Sequence, residues 1–184
     1  MAENWQALAA PAEVGCESDT APEDFAELVR RHQAMVYSIA WHFLHDRGLA
    51  EEVAQEVFLR LHRELGALQS PSHVVLWLRR VTCHRALDCW RRRRREEISL
   101  EEAGELPSAP QEGDPLLEDR LRRLVASLPP KWRAMVILRY QEDLQPAEIA
   151  QVLNMPVGTV KSGLQRALAT LREKIRRSMG GPEP

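Results

Sequence analysis

The sequence lacks the features of a membrane or secreted protein. No apolar run among its 184 residues approaches membrane-spanning length. Its three cysteines, Cys16, Cys83 and Cys89, form no paired framework, and the N-terminus has neither the basic nor the apolar segment of a signal peptide. We therefore expect a cytoplasmic protein with reduced thiols and no insertion into a membrane.

The sequence also has little that could support catalysis. There is no phosphate-binding loop, and no Ser, His and Asp that helical periodicity would bring together. The candidate metal ligands His42, His45, Cys83, His84 and Cys89 form no tight CxxC pair and lie within apolar helical patterns. We expect no metal site, no cofactor, no catalytic residue and no enzymatic activity.

The charged residues of the sequence are grouped into blocks of one sign. The composition is otherwise typical of a globular protein, with 44% hydrophobic and 28% charged residues and a net charge of -2. Residues 77–95 carry eight arginines and one acid, residues 120–140 carry six bases and no acid, and residues 157–177 carry six bases and one acid. Residues 1–24 and 96–119 carry acids and no base. Such blocks predict surfaces that bind a polyanion, although any single run could be a solvated face.

Apolar periodicity predicts a helical N-terminal domain. Apolar residues recur at three- and four-residue steps in residues 25–43 and again in residues 49–65, which predicts two amphipathic helices. Gly, Pro and Ser signals in residues 66–73 end the second helix, and a third helix, with Ser72 as a possible cap, then runs into the five arginines of residues 91–95.

Residues 97–115 have the composition of a linker, since they are rich in acids, contain three prolines and two glycines and show little apolar pattern. We therefore predict an all-α chain in which two small helical domains are joined by a flexible acidic linker. The predicted boundaries are an acidic tail at 1–22, domains at 23–96 and 116–178 on either side of the linker at 97–115, and a tail at 179–184.

The C-terminal domain contains the most informative pattern. Pro146 suits a first helical position, and Asn154, Met155 and Pro156 end a short helix in a turn. Residues 157–175 then form a longer basic helix with its apolar residues on one face. This order predicts a helix-turn-helix, whose second helix enters the DNA major groove by its N-terminal half. An ordinary helical hairpin is the alternative.

Three segments together resemble a known family. PAEIAQVLNMPVGTVKSGLQRALATLR is similar to the promoter-reading helix-turn-helix of bacterial RNA polymerase sigma factors, and AEEVAQEVFLRLHREL and WLRRVTCHRALDCWRRRRR resemble the helices of their other DNA-binding region. Only these two regions are present, which is the arrangement of the extracytoplasmic-function (ECF) class. The resemblance implies a sigma factor that binds core RNA polymerase, directs it to promoters and helps to melt promoter DNA. A stand-alone two-domain helix-turn-helix regulator is the alternative.

The resemblance also implies partners and sites. The core polymerase would be contacted through the clamp helices of its largest subunit by Glu52, Gln55, Glu56 and Phe58, and through a further subunit by the C-terminal domain. An anti-sigma factor is a further expected partner. The promoter would be bound as duplex and as non-template single strand, because opening DNA requires pockets for unstacked bases and cations for displaced phosphates.

The DNA-binding residues follow by position in the matching motifs. The expected minus-ten residues are Ser70, Ser72, His73, Trp77, Arg79, Arg80, His84, Arg85, Asp88, Arg91, Arg92 and Arg93. The expected minus-thirty-five residues are Pro156, Gly158, Thr159, Lys161, Ser162, Gln165 and Arg166. Gly163 stands where the family usually has Arg, and we expect this position to lie outward, where an arginine would gain a phosphate contact.

Overall fold

The computed structural model describes residues 25–68, 70–101 and 115–178. These residues form seven α-helices and one short 3-10 helix, Leu65–Ala67, and no strand occurs among them. The helices are α1 Phe25–Leu44, α2 Arg47–Glu64, α3 Pro71–Glu101, α4 Pro115–Ala126, α5 Pro130–Tyr140, α6 Pro146–Leu153 and α7 Val157–Ser178. The predicted all-α class is confirmed. The predicted tails at 1–22 and 179–184, and the linker between residues 102 and 114, lie outside the described residues.

Helices α1 to α3 form the N-terminal unit around one apolar cluster, in which Val36, Val57, Leu61 and Leu78 are fully buried. The turn between α1 and α2 is fixed by Asp46, whose carboxylate accepts a hydrogen bond from the backbone N–H of Leu49 at 3.1 Å. This satisfies one of the amides that the first turn of a helix leaves without an intrahelical partner. The predicted three-helix order is therefore present.

Two boundaries of the N-terminal unit differ from those predicted. Helix α3 starts at Pro71, so Ser72 lies in its first turn, and Ser70 Oγ instead accepts from the backbone N–H of His73 at 3.3 Å. Helix α3 also continues to Glu101, into the segment predicted as linker. The helix extends because the linker's prolines begin only at Pro107, and Glu and Leu are good helix formers.

Helices α4 to α7 form the C-terminal unit and contain the predicted helix-turn-helix as α6 and α7. Pro146 is the first residue of α6, and Gln145 before it forms a capping box with Glu148, whose carboxylate accepts from the Gln145 N–H at 2.7 Å. Asn154 ends α6 in the left-handed conformation, with φ of 50°. The turn into α7 is thus encoded by the residues that the sequence singled out.

The two units pack directly against each other. Phe43 and Ala86 of the N-terminal unit share one buried apolar cluster with Ala134 and Ile137 of α5. Ile39 and Cys83 belong to the core cluster of the C-terminal unit. The sequence predicted separate domains on a linker, and this shared apolar surface is a feature that it did not predict.

Candidate polymerase and nucleic-acid interfaces

The expected polymerase-binding residues lie on α2. Glu52, Gln55 and Glu56 are exposed, whereas Phe58 is partly buried and packs against the N-terminal core. Glu56 is also 3.6 Å from Nε of Arg85 on α3. The helix therefore presents three polar side chains to a partner, and Phe58 has a packing role.

A groove of about 740 Å³ lies between the two units. One wall is formed by residues of α3 that follow one another at three- and four-residue steps and therefore lie on one face of the helix. The opposite wall is formed by the start of α5 and the turn after α6. Six of the expected minus-ten residues line the groove together: Trp77, Arg80, His84, Arg85, Asp88 and Arg91. We call this face of α3, together with the neighbouring Arg79, the α3 basic face.

Trp77 is held by two side chains of α2. Its indole Nε1–H donates to Glu64 Oε2 at 3.1 Å, and the other carboxylate oxygen accepts from Arg60 Nε at 2.7 Å. The guanidinium carbon of Arg60 also lies 5.9 Å from the centroid of the Trp77 ring. Because an aromatic ring fixed in orientation is a stacking surface for an unpaired base, this trio suits the strand-opening role.

Other expected minus-ten residues point elsewhere. Ser70, Ser72 and His73 stand at the start of α3 and are exposed or partly exposed. Arg92 turns away from the large groove into a cavity of about 220 Å³ that Glu52 and Glu56 also line. Arg93 pairs with Asp46 at 3.0 Å. The five arginines of residues 91–95 are all exposed, so they present positive charge around the helix and not along a single line.

Arg79 and Arg80 contact the C-terminal unit. Arg79 pairs with Glu142, in the turn after α5, at 3.4 Å. The Arg80 guanidinium donates to the backbone carbonyl of Gln151 at 2.7 Å, which is one of the carbonyls that the last turn of α6 leaves without an intrahelical partner. Two cations expected to bind phosphates are therefore held by the other unit.

Arg133 of α5, in the C-terminal unit, makes a contact in the reverse direction, to the N-terminal unit. It is only 3% exposed, and it donates to the carbonyl of Phe43 in the last turn of α1 at 3.1 Å and to the carbonyl of Ala126 in the last turn of α4. Its guanidinium carbon lies 5.3 Å from the ring centroid of Phe43 and 5.5 Å from that of Trp90. One cation thus meets the negative ends of two helix dipoles, one from each unit.

Burial changes several pKa values near the groove. Burial raises the pKa of the Cys83 thiol to about 12, with the Glu142 carboxylate contributing to this increase and Arg79 opposing it. It lowers the pKa of His84, which is partly offset by Asp88, and it lowers the pKa of Arg133 to about 10. Arg133 remains charged at neutral pH, and the Cys83 thiol remains protonated.

The expected minus-thirty-five residues lie at the start of α7 and in the turn before it. Most of them are exposed, namely Pro156, Gly158, Thr159, Lys161, Gln165 and Arg166. Ser162 is partly buried, and its hydroxyl donates to the carbonyl of Thr159 at 3.1 Å. The N-terminal half of α7 therefore presents an open polar surface of the kind that enters a major groove.

The expectation that Gly163 lies outward is wrong. Gly163 is buried where α7 crosses α5, and a Cβ built on it would lie 2.5 Å from Sδ and 3.1 Å from Cε of Met135. The absence of a side chain lets the two helices approach closely. An arginine at this position would meet Met135 and Trp132 and not a phosphate.

The described residues contain no group of three or more His, Cys, Asp or Glu that could hold a metal ion. Among these same residues, none of the helices combines the length and the apolar character needed to cross a membrane.

Two family models match the two units in turn. Residues 28–96 match Sigma-70 region 2, and residues 118–171 match Sigma-70, region 4. The chain belongs to the sigma-70 family. The prediction that it is an RNA polymerase sigma factor of the ECF class is confirmed, and the stand-alone regulator is not better supported.

Named relatives of this sigma factor agree with the family match. It is 33% identical to the RNA polymerase sigma-E factor of Streptomyces coelicolor, over 83% of this chain and 86% of that one. It is 26% identical to the ECF RNA polymerase sigma factor SigW of Bacillus subtilis, over 83% of this chain and 89% of that one.

Solved structures show the same fold. The sigma factor RpoE of Bartonella quintana, in complex with the anti-sigma factor NepR, superposes with a TM-score of 0.68 at 18% identity, covering 84% of this chain and 98% of that one. CnrH, in complex with the cytosolic domain of CnrY, gives a TM-score of 0.63 at 22% identity, covering 83% of this chain and 88% of that one.

The sigma factor has four further residues at these surfaces that its sequence did not reveal. Arg60 and Glu64 hold Trp77, and their spacing of four residues on α2 was an available signal. Arg133 stands alone in the apolar run of α5, which marked it as a candidate for burial. Glu142 had no signal, because its partner is distant in the chain.

Proposed function

We propose that this sigma factor binds the core polymerase through the exposed side chains of Glu52, Gln55 and Glu56 on α2. These three residues fall on the motif that resembles the clamp-binding helix, and they lie outside the contact between the two units. Phe58 is the fourth residue of the motif. Its side chain packs against the core of the N-terminal unit and supports this helix, so it is not presented to the polymerase.

We propose in addition that the α3 basic face binds the minus-ten element as its strands separate. The observation that carries this assignment is the alignment of Trp77, Arg80, His84 and Arg91 along one groove within the region 2 match. Trp77 offers a ring for a displaced base, and the arginines offer donors to the displaced phosphates. The exposed arginines of residues 91–95 extend this cationic surface along the helix.

The start of α7 binds the minus-thirty-five element as duplex in this proposal. Lys161 and Arg166 serve phosphates, while Thr159, Ser162 and Gln165 reach base edges. Support comes from the position of these side chains in the N-terminal half of the second helix of a helix-turn-helix, where all of them except the partly buried Ser162 are exposed. The C-terminal unit also contacts a further polymerase subunit.

The protein acts in the cytoplasm, where the polymerase is, and works by binding and DNA opening without chemistry of its own. It is regulated by an anti-sigma factor, a proposal supported by the anti-sigma complexes in which RpoE and CnrH were solved.

The test of the polymerase surface is a titration of core RNA polymerase with the variant Glu56→Arg combined with Gln55→Ala. We expect a loss of core affinity of tenfold or more, because a reversed charge at a buried contact is costly, with unchanged helicity. The matched control is Glu51→Arg, which makes the same charge change on an exposed neighbour that pairs with Arg47 at 2.9 Å. Equal affinity of the two variants for core polymerase would remove the assignment.

A further inference from the structure

Helix α2 has one large apolar side chain in the middle of its solvent-facing side. The residues of α2 that are buried in the core are Ala50, Val53, Val57 and Leu61. Leu59 lies on the opposite side of the helix, about half a turn from both Val57 and Leu61, and it is 54% exposed. An amphipathic helix of a globular protein has polar residues on that side, so Leu59 interrupts the pattern at its centre.

The side chains around Leu59 are the ones proposed to bind the core polymerase. Glu52, Gln55 and Glu56 precede Leu59 at spacings that place all four side chains on one face of the helix. Arg63, one turn after Leu59, is exposed as well. A leucine surrounded by polar side chains has the arrangement of a protein–protein contact, in which a polar rim keeps water away from an apolar centre.

The neighbouring Phe58 does not supply this apolar centre, because it is partly buried and packs against the core of the N-terminal unit. The other large apolar residues that are exposed in the described part of the chain are Leu121, Tyr140 and Val157, and all three belong to the C-terminal unit. Within the described residues of the N-terminal unit, Leu59 is therefore the one large apolar side chain left exposed.

We propose that Leu59 is the apolar centre of the polymerase contact and packs against an apolar side chain of a clamp helix in the largest polymerase subunit. Residues spaced as i, i+3, i+4 and i+7 form a ridge along a helix, and such a ridge packs against a second helix. This inference rests on the proposed polymerase contact of Glu52, Gln55 and Glu56, with which Leu59 is continuous. The charged side chains then steer association, and Leu59 contributes affinity that salt does not screen.

The experiment titrates core RNA polymerase with the full-length sigma factor carrying Leu59→Ala. We expect the affinity to fall about tenfold or more, because truncating a leucine at the centre of an interface removes most of its apolar contact. Val157→Ala is the matched control, since Val157 is also exposed but lies at the start of α7, on the surface proposed for DNA. The control should bind core polymerase as the wild type does. Equal affinities of the two variants would overturn the inference.

Two further variants separate loss of contact from loss of folding. Leu59→Met keeps an apolar side chain of similar volume and should bind nearly as well as the wild type, whereas the polar Leu59→Gln should bind as weakly as Leu59→Ala. The unfolding midpoint should be unchanged in all three, because Leu59 lies outside the apolar cluster and Ala, Met and Gln are good helix formers. A lowered midpoint in Leu59→Ala, or equally weak binding by Leu59→Met and Leu59→Gln, would contradict an apolar contact.

The salt dependence of binding distinguishes Leu59 from its charged neighbours. The loss caused by Leu59→Ala should be the same factor at low and high salt, because apolar burial is not screened. The loss caused by Glu56→Gln should shrink as salt is raised. A Leu59→Ala effect that shrinks in parallel would mean that Leu59 acts only through the charges around it, and would overturn the inference.

Failure of this inference is distinguishable from failure of the proposed polymerase surface. If Glu56→Arg with Gln55→Ala weakens core binding and Leu59→Ala does not, the surface stands without an apolar centre. If neither weakens it, the surface itself is wrong. Promoter opening by Leu59→Ala at saturating core polymerase should match the wild type, because no proposed DNA-binding residue is changed. A defect that persists at saturation would assign Leu59 a role other than polymerase binding.

Discussion

The close approach at Gly163 makes a quantitative prediction about the packing of α7 on α5. Replacing a glycine inside a helix by alanine ordinarily stabilises the helix by about 1 kcal/mol. At this position the new methyl carbon would lie 2.5 Å from Sδ of Met135, a side chain that is only 2% exposed. Overpacking of this kind costs about 1–3 kcal/mol, so we expect Gly163→Ala to change stability by between about 0 and 2 kcal/mol in the destabilising direction.

The size of this loss of stability depends on how far Met135 can move, and a double-mutant cycle removes that dependence. Met135→Ala alone should cost about 2–5 kcal/mol, because it leaves a cavity in the core. In that background the methyl group of Gly163→Ala has no sulfur to meet, and it should stabilise the protein by about 1 kcal/mol. The coupling between the two substitutions is therefore expected to be about 1–3 kcal/mol.

Native-state hydrogen exchange of the α7 amides is the suitable assay, since it reports the opening free energy of this helix independently of the N-terminal unit. Ala169→Gly, at an exposed position of α7, measures the helix-propensity contribution alone. If Gly163→Ala stabilises α7 by the full propensity gain in both backgrounds, the coupling is zero and the close approach is absent.

Two further predictions concern the arginine run at the end of α3 and the side chains that hold Trp77. Replacing Arg92, Arg94 and Arg95 by Gln should weaken promoter binding by the holoenzyme and reduce its salt dependence by a slope of about 0.7–0.9 for each phosphate that is no longer neutralised. The same number of Gln substitutions at Arg30, Arg176 and Arg177 is the control, and an unchanged slope would mean that the run is a solvated helix end. Glu64→Gln should loosen Trp77, which would shift its fluorescence and reduce permanganate reactivity of promoter thymines severalfold at unchanged core affinity. Unchanged reactivity would leave Glu64 with a structural role only.

The helices and the helix-turn-helix were predictable from the sequence because their signals are local. The apolar residues of α1 and α2 repeat at helical steps, and Pro146, Asn154 and Pro156 act within a few residues of the turn that they define. The two family-like regions were recognisable for the same reason, since each motif occupies one continuous segment.

The packing between helices was not predictable, because it depends on residues far apart in the chain. In the sequence, Gly163 lies between Ser162, which points outward, and Leu164, which points inward. Only the position of Met135 on α5 shows that Gly163 faces the neighbouring helix. Arg80 and Gln151 are 71 residues apart, and Arg133 and Phe43 are 90 apart. No periodicity within one helix specifies such pairs.

The apolar cluster of Phe43, Ala86, Ala134 and Ile137 has a consequence for the lifetime of the free sigma factor. An open chain away from the polymerase would expose both halves of this cluster to water and to other chains, which is the usual route to aggregation. Because both halves belong to one chain, reclosure is a first-order event. Dissociation from the polymerase is therefore expected to return the chain to a protected monomer at a rate that does not depend on its abundance in the cell.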